Sequence, residues 1–475
     1  MSEIEEKKES KQEPSIKRFD TVIAFLAVEL IGLVLFGFGG VFGLKFLQLI
    51  AIFLAFLAYP FLSHNIDSKT MKANAKWLIP LAAFALLGSF SAFFFVYYGG
   101  TAGMFSFILY SLLQFLGILA FFVLGASIRY IEPLKREFII YGLLGALGLY
   151  VLLVTLYSLA RYGFFYAARY DGMVYYYDGV LFRIAREGKA LMGFSFSEVT
   201  IAYAGTPAFI LAASGCGLFA LKPKEEKIKF IVVGSLALLG ILSLAFMPHK
   251  LSLLVLLAVY AVMGLLRLVH YFRQRSEIAR KKWDFALKIA FFVLIGIVGI
   301  GLILLFIETK TGLLAKIGLV KEGNFFGRIV VQIEDVLYNG SANKPFLSAS
   351  SILFGYHPTT LTVHLERIYE FNVLWQNGVP AFLLMVYLIF FFIKKQRDYL
   401  FEGKDTLGEK FVFIALILAI FIRFSLFDDE MPLIHASEQA FIPFLSSNMH
   451  YALMALLGLT YVPMKAKEKE VVVHE

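Results

Sequence analysis

Residues 102–126 read AGMFSFILYSLLQFLGILAFFVLGA, an apolar run that contains no charged side chain. A helix needs about 20 such residues to cross the roughly 30 Å hydrocarbon core of a bilayer. Similar runs recur along the chain, which has 59% hydrophobic residues, 17% charged residues and a mean hydropathy of +0.76. Soluble domains are less apolar and carry more charge. The sequence therefore predicts an all-α integral membrane protein, a polytopic bundle of helices.

Short polar clusters divide the chain into about twelve predicted membrane-spanning helices. We expect these spans near residues 20–38, 41–62, 75–97, 102–126, 138–160, 199–221, 228–247, 250–270, 284–307, 371–393, 410–427 and 441–463. The predicted order is a tail (1–19), five spans (20–160), a long loop (161–198), four spans (199–307), a second long loop (308–370), three spans (371–463) and a tail (464–475). Long loops are uncommon without a function. Helical spacing of apolar residues predicts helices within both of them.

The distribution of basic residues predicts the orientation of the chain. With twelve spans, the tails and the even-numbered loops share one side, and that side carries about two thirds of the 44 Lys and Arg residues. Short loops rich in Lys and Arg face the cytoplasm. Both termini are therefore predicted to be cytoplasmic, in the cytoplasmic (inner) membrane, with both long loops on the outer side.

The composition also argues against several classes of partner and cofactor. Membrane topology accounts for the net charge of +9, so we expect no nucleic acid partner. The single cysteine, Cys216, excludes a disulfide framework or a cysteine metal site within one chain. His357 and His364 lack the spacing of metal ligands. We therefore expect neither a metal nor another cofactor.

The two long loops contain most of the candidate functional residues. Arginine binds phosphate with a planar fork of donors, so arginines on the outer side suit a diphosphate group. The candidates of this kind are Arg161, Arg169, Arg183 and Arg186 in the first loop and Arg328 and Arg367 in the second. The alternative is that long loops simply contain charges, which nearby acidic residues nearly balance.

Three further groups of polar residues are candidates for chemistry or structure. His249 and Lys250 lie in a very short outer turn between two apolar spans, where a basic residue is unfavourable unless it is paired or functional. His364 lies beside Glu366 and can act as a general base near neutral pH, although a solvated role is the alternative. Glu29 falls midway through the first span, so we expect it to be a deeply placed charge that is held by a neighbouring helix.

In layout and in motifs over 249–256 and 327–380, the chain resembles the O-antigen polymerase and O-antigen ligase superfamily of membrane glycosyltransferases. The residues that carry this resemblance are Gly327-Arg328, Pro345, Leu353-Phe354-Gly355-Tyr356, Asn377-Gly378-Val379 and the turn His249-Lys250-Leu251. Polymerases of the superfamily show an arginine ten residues before a glycine, as in Arg161…Gly172 and Arg367…Gly378. Ligases carry a histidine where this chain has Arg367, and His364 lies one turn earlier.

The resemblance implies a metal-independent polymerase of undecaprenyl-diphosphate-linked oligosaccharide repeat units, making O-antigen, capsule or exopolysaccharide. The implied catalytic residues are His364, Glu366 and Arg367, and the implied substrate-binding residues are Arg161, Arg169, Arg183, Arg186, His249, Lys250, Arg328 and Tyr356. The implied partners are the lipid-linked oligosaccharides, the lipid bilayer and a chain-length regulator protein. Two alternatives stay open at this point: an O-antigen ligase that transfers glycan to the lipid A core, and a lipid-linked oligosaccharide flippase or other transporter.

Overall fold

The computed structural model of the protein describes a bundle of helices and one short pair of strands. The residues it describes are 14–35, 44–65, 101–129, 131, 133–162, 168–170, 173–175, 205–246, 250–278, 280–286, 369–403, 405–423 and 448–461, with shorter pieces at 79–80, 82–83, 86–87, 289, 293, 296, 300, 304, 307, 312–316, 318 and 353. All structural statements below concern these residues.

Eleven helices and two strands are numbered here in chain order. They are α1 Pro14–Leu35, α2 Leu44–Asn65, α3 Thr101–Ile128, α4 Pro133–Tyr162, β1 Ala168–Tyr170, β2 Met173–Tyr175, α5 Gly205–Ser214, α6 Lys227–Phe246, α7 Lys250–Arg273, α8 Leu313–Lys316, α9 Tyr369–Glu402, α10 Leu407–Phe421 and α11 Asn448–Thr460. A 3₁₀ turn, Gly215–Phe219, follows α5 directly.

Four of these helices are long and apolar enough to cross a membrane. The segments are Lys135–Leu153 in α4, Lys227–Leu244 in α6, Ser252–Arg273 in α7 and Gly378–Phe401 in α9. Shorter apolar helical segments are Val22–Leu35, Phe46–Tyr59, Phe115–Ile128, Thr206–Phe219 and Met449–Thr460. These helices confirm the predicted helical fold, and they have the length and composition of membrane-spanning helices.

Large apolar side chains cover the outside of the bundle. Phe138 is 81% exposed, Phe56 77% and Leu257 73%. Water would disfavour so much exposed apolar surface, whereas lipid tails provide apolar surroundings for it. The outward-facing side chains therefore agree with a bundle that is embedded in a bilayer.

Helix α10 lies at the centre of the bundle. Its residues from Phe411 to Ile417 are all buried, and it packs against α5, α7 and α11. A helix that is apolar on every side lies either in a protein core or in lipid, and the burial of α10 places it in the core of the bundle. α10 thus runs from the polar end at which it begins into the interior of the bundle.

Small residues bring α3 and α11 into close contact. A methyl group at Gly125 would lie 1.8 Å from the carbonyl oxygen of Ala455, and one at Gly458 would lie 2.0 Å from that of Phe122. Small residues allow helix backbones to approach closely in membranes. Beside this contact, Gln48 in α2 donates a hydrogen bond to Tyr451, so three helices are joined.

Ion pairs, a hydrogen bond and a cation–π contact join the polar ends of several helices on one face of the bundle, here termed the charged face. It comprises Arg129, Arg136, Glu137, Lys229, Arg273 and Asp405. Arg136 lies 2.6 Å from Asp405, and Lys229 lies 2.5 Å from Glu137. Arg129 donates a hydrogen bond to the backbone oxygen of Tyr461, and the guanidinium of Arg273 lies 3.8 Å from the ring centre of Phe401. The ends of α3, α7, α9 and α11 and the starts of α4, α6 and α10 therefore meet there.

The first long loop contains strands where we expected helix. β1 and β2 pair antiparallel, with Ala168 opposite Tyr175, Arg169 opposite Val174 and Tyr170 opposite Met173. The intervening sequence is Asp171-Gly172, a dipeptide typical of two-residue hairpin turns, and the flanking residues are rich in Tyr and Val. The local sequence therefore favours a hairpin at this point of the first long loop.

Candidate functional site

The end of the bundle opposite the charged face, here termed the far end, carries two predicted diphosphate ligands. α4 begins near Arg136 on the charged face and ends with Arg161 and Tyr162. α7 ends with Arg273 on the charged face, so its first residue, Lys250, lies at the other end. Each of these helices places its far-end cation about 35 Å or more along its axis from the charged face. The fold therefore brings Arg161 and Lys250, distant in sequence, to the same end.

Two hydrogen-bonded polar pairs lie inside the bundle toward the far end. Thr155 in α4 and Ser243 in α6 have their hydroxyl oxygens 3.0 Å apart. The Nε of Arg423 donates a 3.1 Å hydrogen bond to the Oγ of Ser252 in α7. Such pairs join helices in membranes because a polar group without a partner is unfavourable in an apolar interior. They tie α4 to α6 and α7 to the residues that follow α10.

Arg423 is a buried cation that the sequence analysis did not identify as a candidate. It is 3% exposed and follows the apolar helix α10. The residue was hidden inside the predicted span 410–427, although the signal was present as a single arginine in the apolar run FIRFSLF (421–427). Glu29, by contrast, has an exposed side chain on α1. Its neighbours Ala27 and Leu30 face the core instead, so Glu29 lies on the outer side of α1, and its depth in a bilayer stays a prediction.

Gly378 breaks helix α9 within the Arg367…Gly378 motif. Its backbone dihedral angles are φ 83° and ψ 176°, a conformation that is essentially restricted to glycine. The break separates residues 369–377 from the apolar segment Gly378–Phe401. Pro380 follows at the start of the second part, where a proline is tolerated because its missing N–H has no partner within the helix. The predicted tenth span, 371–393, overlaps this apolar segment.

The break at Gly378 lies toward the same end of the bundle as Arg161 and Lys250. α9 reaches the charged face at its other end, where the Nζ of Lys395 lies 4.8 Å from the ring centre of Tyr461. Gly378 lies about 26 Å along the helix from Lys395, toward the far end. The helix that starts after Gly378 directs the positive end of its dipole toward the break. A helix start of this kind favours an anion at the break.

Most other predicted site residues fall outside the part of the chain that the structure describes. Arg169 lies in β1, where its backbone pairs with Val174. The predicted catalytic residues His364, Glu366 and Arg367 and the predicted binding residues Arg183, Arg186, His249, Arg328 and Tyr356 lie outside the described residues. Their roles stay predictions.

A second polar cluster, at the charged face, has a structural explanation. Asp405 accepts hydrogen bonds from Arg136 and from the hydroxyl of Tyr399, at 2.6 and 2.7 Å. Thr406 and Glu409 cap the start of α10 by bonding to each other's backbone N–H. Burial raises the pKa of Glu409, and the nearby guanidinium of Arg136 partly opposes this shift. These contacts hold α4, α9 and α10 together, so we assign the cluster to stability.

Within the described residues, no group of three or more His, Cys, Asp or Glu side chains is close enough to hold a metal ion. The expectation of chemistry without a metal stays a prediction for the reaction itself. The far end has the helix positions of Arg161 and Lys250 and the helix start after Gly378, and arginine, lysine and helix starts are groups that bind anions.

Comparison of the chain with known proteins finds no matching family model, no matching curated protein and no matching solved structure. The fold and the geometry of the far end therefore provide the physical basis for a function. The resemblance to the O-antigen polymerase and ligase superfamily adds an expectation about the reaction.

Proposed function

We propose that the protein is a metal-independent membrane glycosyltransferase that polymerises undecaprenyl-diphosphate-linked oligosaccharide repeat units. The main supporting observation is that Arg161 and Lys250 lie at the same end of the bundle, where the break at Gly378 also lies. Two cations and a helix start at one membrane surface suit a lipid diphosphate, whose charge needs compensation there. The product is O-antigen, capsule or exopolysaccharide.

The proposal includes a topology of about twelve spans in the cytoplasmic membrane. The charged face is then cytoplasmic, and the far end with both long loops faces outward. The abundance of Lys and Arg in the loops that meet at the charged face supports this orientation. Both termini are cytoplasmic in this arrangement.

In the proposed reaction, the growing glycan leaves its own lipid and joins a new repeat unit. A hydroxyl at the non-reducing end of the new unit attacks the anomeric carbon of the growing chain. The bond from that carbon to the diphosphate oxygen breaks, and its electron pair leaves with undecaprenyl diphosphate. The hydroxyl proton passes to a base, for which His364 and Glu366 are the candidates. Cations such as Arg161, Arg328, Arg367 and Lys250 stabilise the leaving diphosphate.

One cavity among the described residues favours the polymerase over the flippase alternative. This cavity, of about 70 Å³, is lined by apolar side chains that include Ile31, Leu144, Ile210, Phe413 and Leu456. A flippase needs a polar or charged central path for the diphosphate and sugars. The ligase alternative uses the same donor chemistry and differs only in the acceptor.

Surface polysaccharide resolved on a gel tests the proposal. Arg161→Ala and Arg367→Ala are expected to abolish or shorten the long-chain ladder, whereas Arg397→Ala, an exposed residue near the charged face, should leave it unchanged. Single repeats on the acceptor would support the polymerase. Long polymer retained on undecaprenyl diphosphate would support the ligase instead. Unchanged ladders in both site variants would contradict the assignment of these arginines.

A further inference from the structure

Residues 271–286, here termed the basic hairpin, lie at the charged face where α7 ends. The chain turns at 274–276, directly after the apolar segment Ser252–Arg273, and residues 280–286 are helical again. The basic hairpin has five basic side chains and two acidic ones. Because it follows a segment with the length and composition of a membrane span, its charges lie at the level of the lipid head groups in a bilayer.

The two acidic side chains of the basic hairpin pair with only two of its five cations. Nε of Arg273 lies 3.0 Å from Asp284. Nζ of Lys281 lies 3.6 Å from Glu277, in an exposed pair. Three exposed cations have no carboxylate partner among the described residues, and these are Arg275, Arg280 and Lys282. The basic hairpin therefore presents three uncompensated positive charges.

Aromatic side chains join the two arms of the basic hairpin and hold one of these cations. The rings of Phe272 and Trp283 are stacked, with their centroids 5.5 Å apart and their planes at 12°. Arg275 donates a 3.0 Å hydrogen bond to the hydroxyl of Tyr271, and its guanidinium lies 4.8 Å from the centre of that ring. Tyrosine and tryptophan are enriched at the boundary between membrane and water. These contacts hold Arg275 at this boundary and leave its charge without a counter-ion.

The basic hairpin continues an apolar side of α7 that faces outward. Leu265, Leu268 and Tyr271 are each half or more exposed, and their spacing places them on one side of the helix. Since Arg275 lies against Tyr271, a lipid whose tail covers the two leucines has its phosphate beside Arg275. A soluble acidic protein or a nucleic acid would contact the cations and leave the leucines without an apolar partner.

We infer that the basic hairpin binds the head group of an anionic glycerophospholipid, and that Arg275, Arg280 and Lys282 contact its phosphate. Clusters of Lys and Arg directly after a membrane helix are typical of sites for anionic lipids. Charge complementarity selects this class, because a zwitterionic head group brings a cation of its own, which the three uncompensated charges repel. The inference needs the bundle to lie in a bilayer, and it does not depend on the proposed glycan reaction.

Lipid binding to the purified full-length protein in detergent, measured by native mass spectrometry, tests this site. The probes are phosphatidylglycerol, phosphatidylethanolamine with the same acyl chains, and soluble glycerol phosphate. The wild type should bind phosphatidylglycerol most tightly of the three. A triple variant that combines Arg275→Gln, Arg280→Gln and Lys282→Gln should bind it about tenfold or more weakly, since each basic residue near an anionic membrane surface contributes about fivefold. The triple variant should bind phosphatidylethanolamine as the wild type does.

A matched control removes the same number of charges from a neighbouring basic segment. Lys222, Lys224 and Lys227 are also exposed, but acidic residues lie among them, and Lys222 lies 2.9 Å from Glu225. Replacing these three lysines by glutamine should leave phosphatidylglycerol binding unchanged. An equal loss in this control would overturn the inference, because the effect would then be one of overall charge.

A double variant keeps the test decisive if the triple variant does not fold. Arg280→Gln with Lys282→Gln leaves the contact between Arg275 and Tyr271 in place, and its affinity for phosphatidylglycerol should lie between those of the wild type and the triple variant. Wild-type affinity in the double variant and in any folded triple variant would overturn the inference.

The probes and the polysaccharide ladder supply the remaining outcomes. Equal affinity of the wild type for phosphatidylglycerol and phosphatidylethanolamine would overturn the inference, since the basic residues would then serve membrane topology alone. Equal affinity for phosphatidylglycerol and glycerol phosphate would also overturn it, because the ligand would then be a soluble phosphate. Selective binding of phosphatidylglycerol by a protein that makes no glycan would support the inference while the proposed function fails.

Discussion

Nη2 of Arg136 lies 2.6 Å from Oδ1 of Asp405, with the two side chains only 6% and 9% exposed. The two residues are far apart in sequence, and their contact joins the start of α4 to the start of α10. The hydroxyl of Tyr399 donates a hydrogen bond to the other carboxylate oxygen of Asp405, so both oxygens of that carboxylate have a donor. This buried ion pair holds the start of the central helix α10 against the start of α4 at the charged face.

Asp405→Asn should destabilise the protein strongly. Removing one partner of a buried ion pair leaves an uncompensated charge, which costs about 3–5 kcal/mol. We expect the low end of this range, because Glu409 lies 3.6 Å from Arg136 and provides partial compensation. Thermal unfolding of the purified protein measures the loss. Arg397→Gln is the control, since its contact with Asp398 is exposed and should contribute less than about 1 kcal/mol. Equal melting temperatures for the two variants would contradict the role of the pair.

Glu409→Gln should behave in the opposite way to Asp405→Asn at neutral pH. Burial raises the pKa of Glu409 in the folded protein above its usual value near 4.5. A carboxyl with a raised folded pKa stabilises the fold below its unfolded pKa, and this stability is lost as the pH rises through the folded pKa. Glutamine is neutral throughout and can still accept the bond from the Thr406 N–H.

Melting temperatures recorded from pH 4.5 to pH 8 test this expectation. The wild type should lose stability relative to Glu409→Gln as the pH rises, and the variant should be at least as stable at pH 8. A variant that loses stability across the whole range would show that the ionised carboxylate is needed beside Arg136.

Gly378→Ala should strain the break in α9. A side chain at φ 83° and ψ 176° costs about 1–3 kcal/mol, unless the break closes into continuous helix. We expect a lower melting temperature and a shortened polysaccharide ladder. Gly264→Ala in α7 is the matched control, because a methyl group there meets no atom within 4 Å and alanine favours a helix. A Gly378→Ala variant with wild-type stability and ladder would contradict the importance of the break.

Gly458→Ala should separate α3 from α11. The added methyl group would lie 2.0 Å from the carbonyl oxygen of Phe122, so the helices must move apart. Overpacking of this kind costs about 1–3 kcal/mol. Gly142→Ala in α4, where a methyl group finds open space, should have the melting temperature of the wild type or higher. If both variants unfold at the same temperature, the close contact is not a determinant of stability.

The candidate site was only partly predictable from the sequence. The sequence singled out Arg161 and Lys250 because cations stand out against apolar runs and short turns. It also singled out Gly378, through its spacing from Arg367. It missed Arg423, because span prediction averages hydropathy over a window and one charge among many apolar residues leaves that average high. It also predicted helix within the first long loop, where residues 168–170 and 173–175 pair as strands on either side of Asp171-Gly172.

The sequence by itself determined that this is a helical membrane protein, because the transfer of an apolar run into lipid depends on the composition of that run alone. The tertiary structure decided which charges are buried. Glu29 and Arg423 both interrupt apolar segments, yet the side chain of Glu29 is exposed while Arg423 is enclosed and bonded to Ser252. Burial depends on which face of a helix meets its neighbours, and residues distant in sequence supply those neighbours.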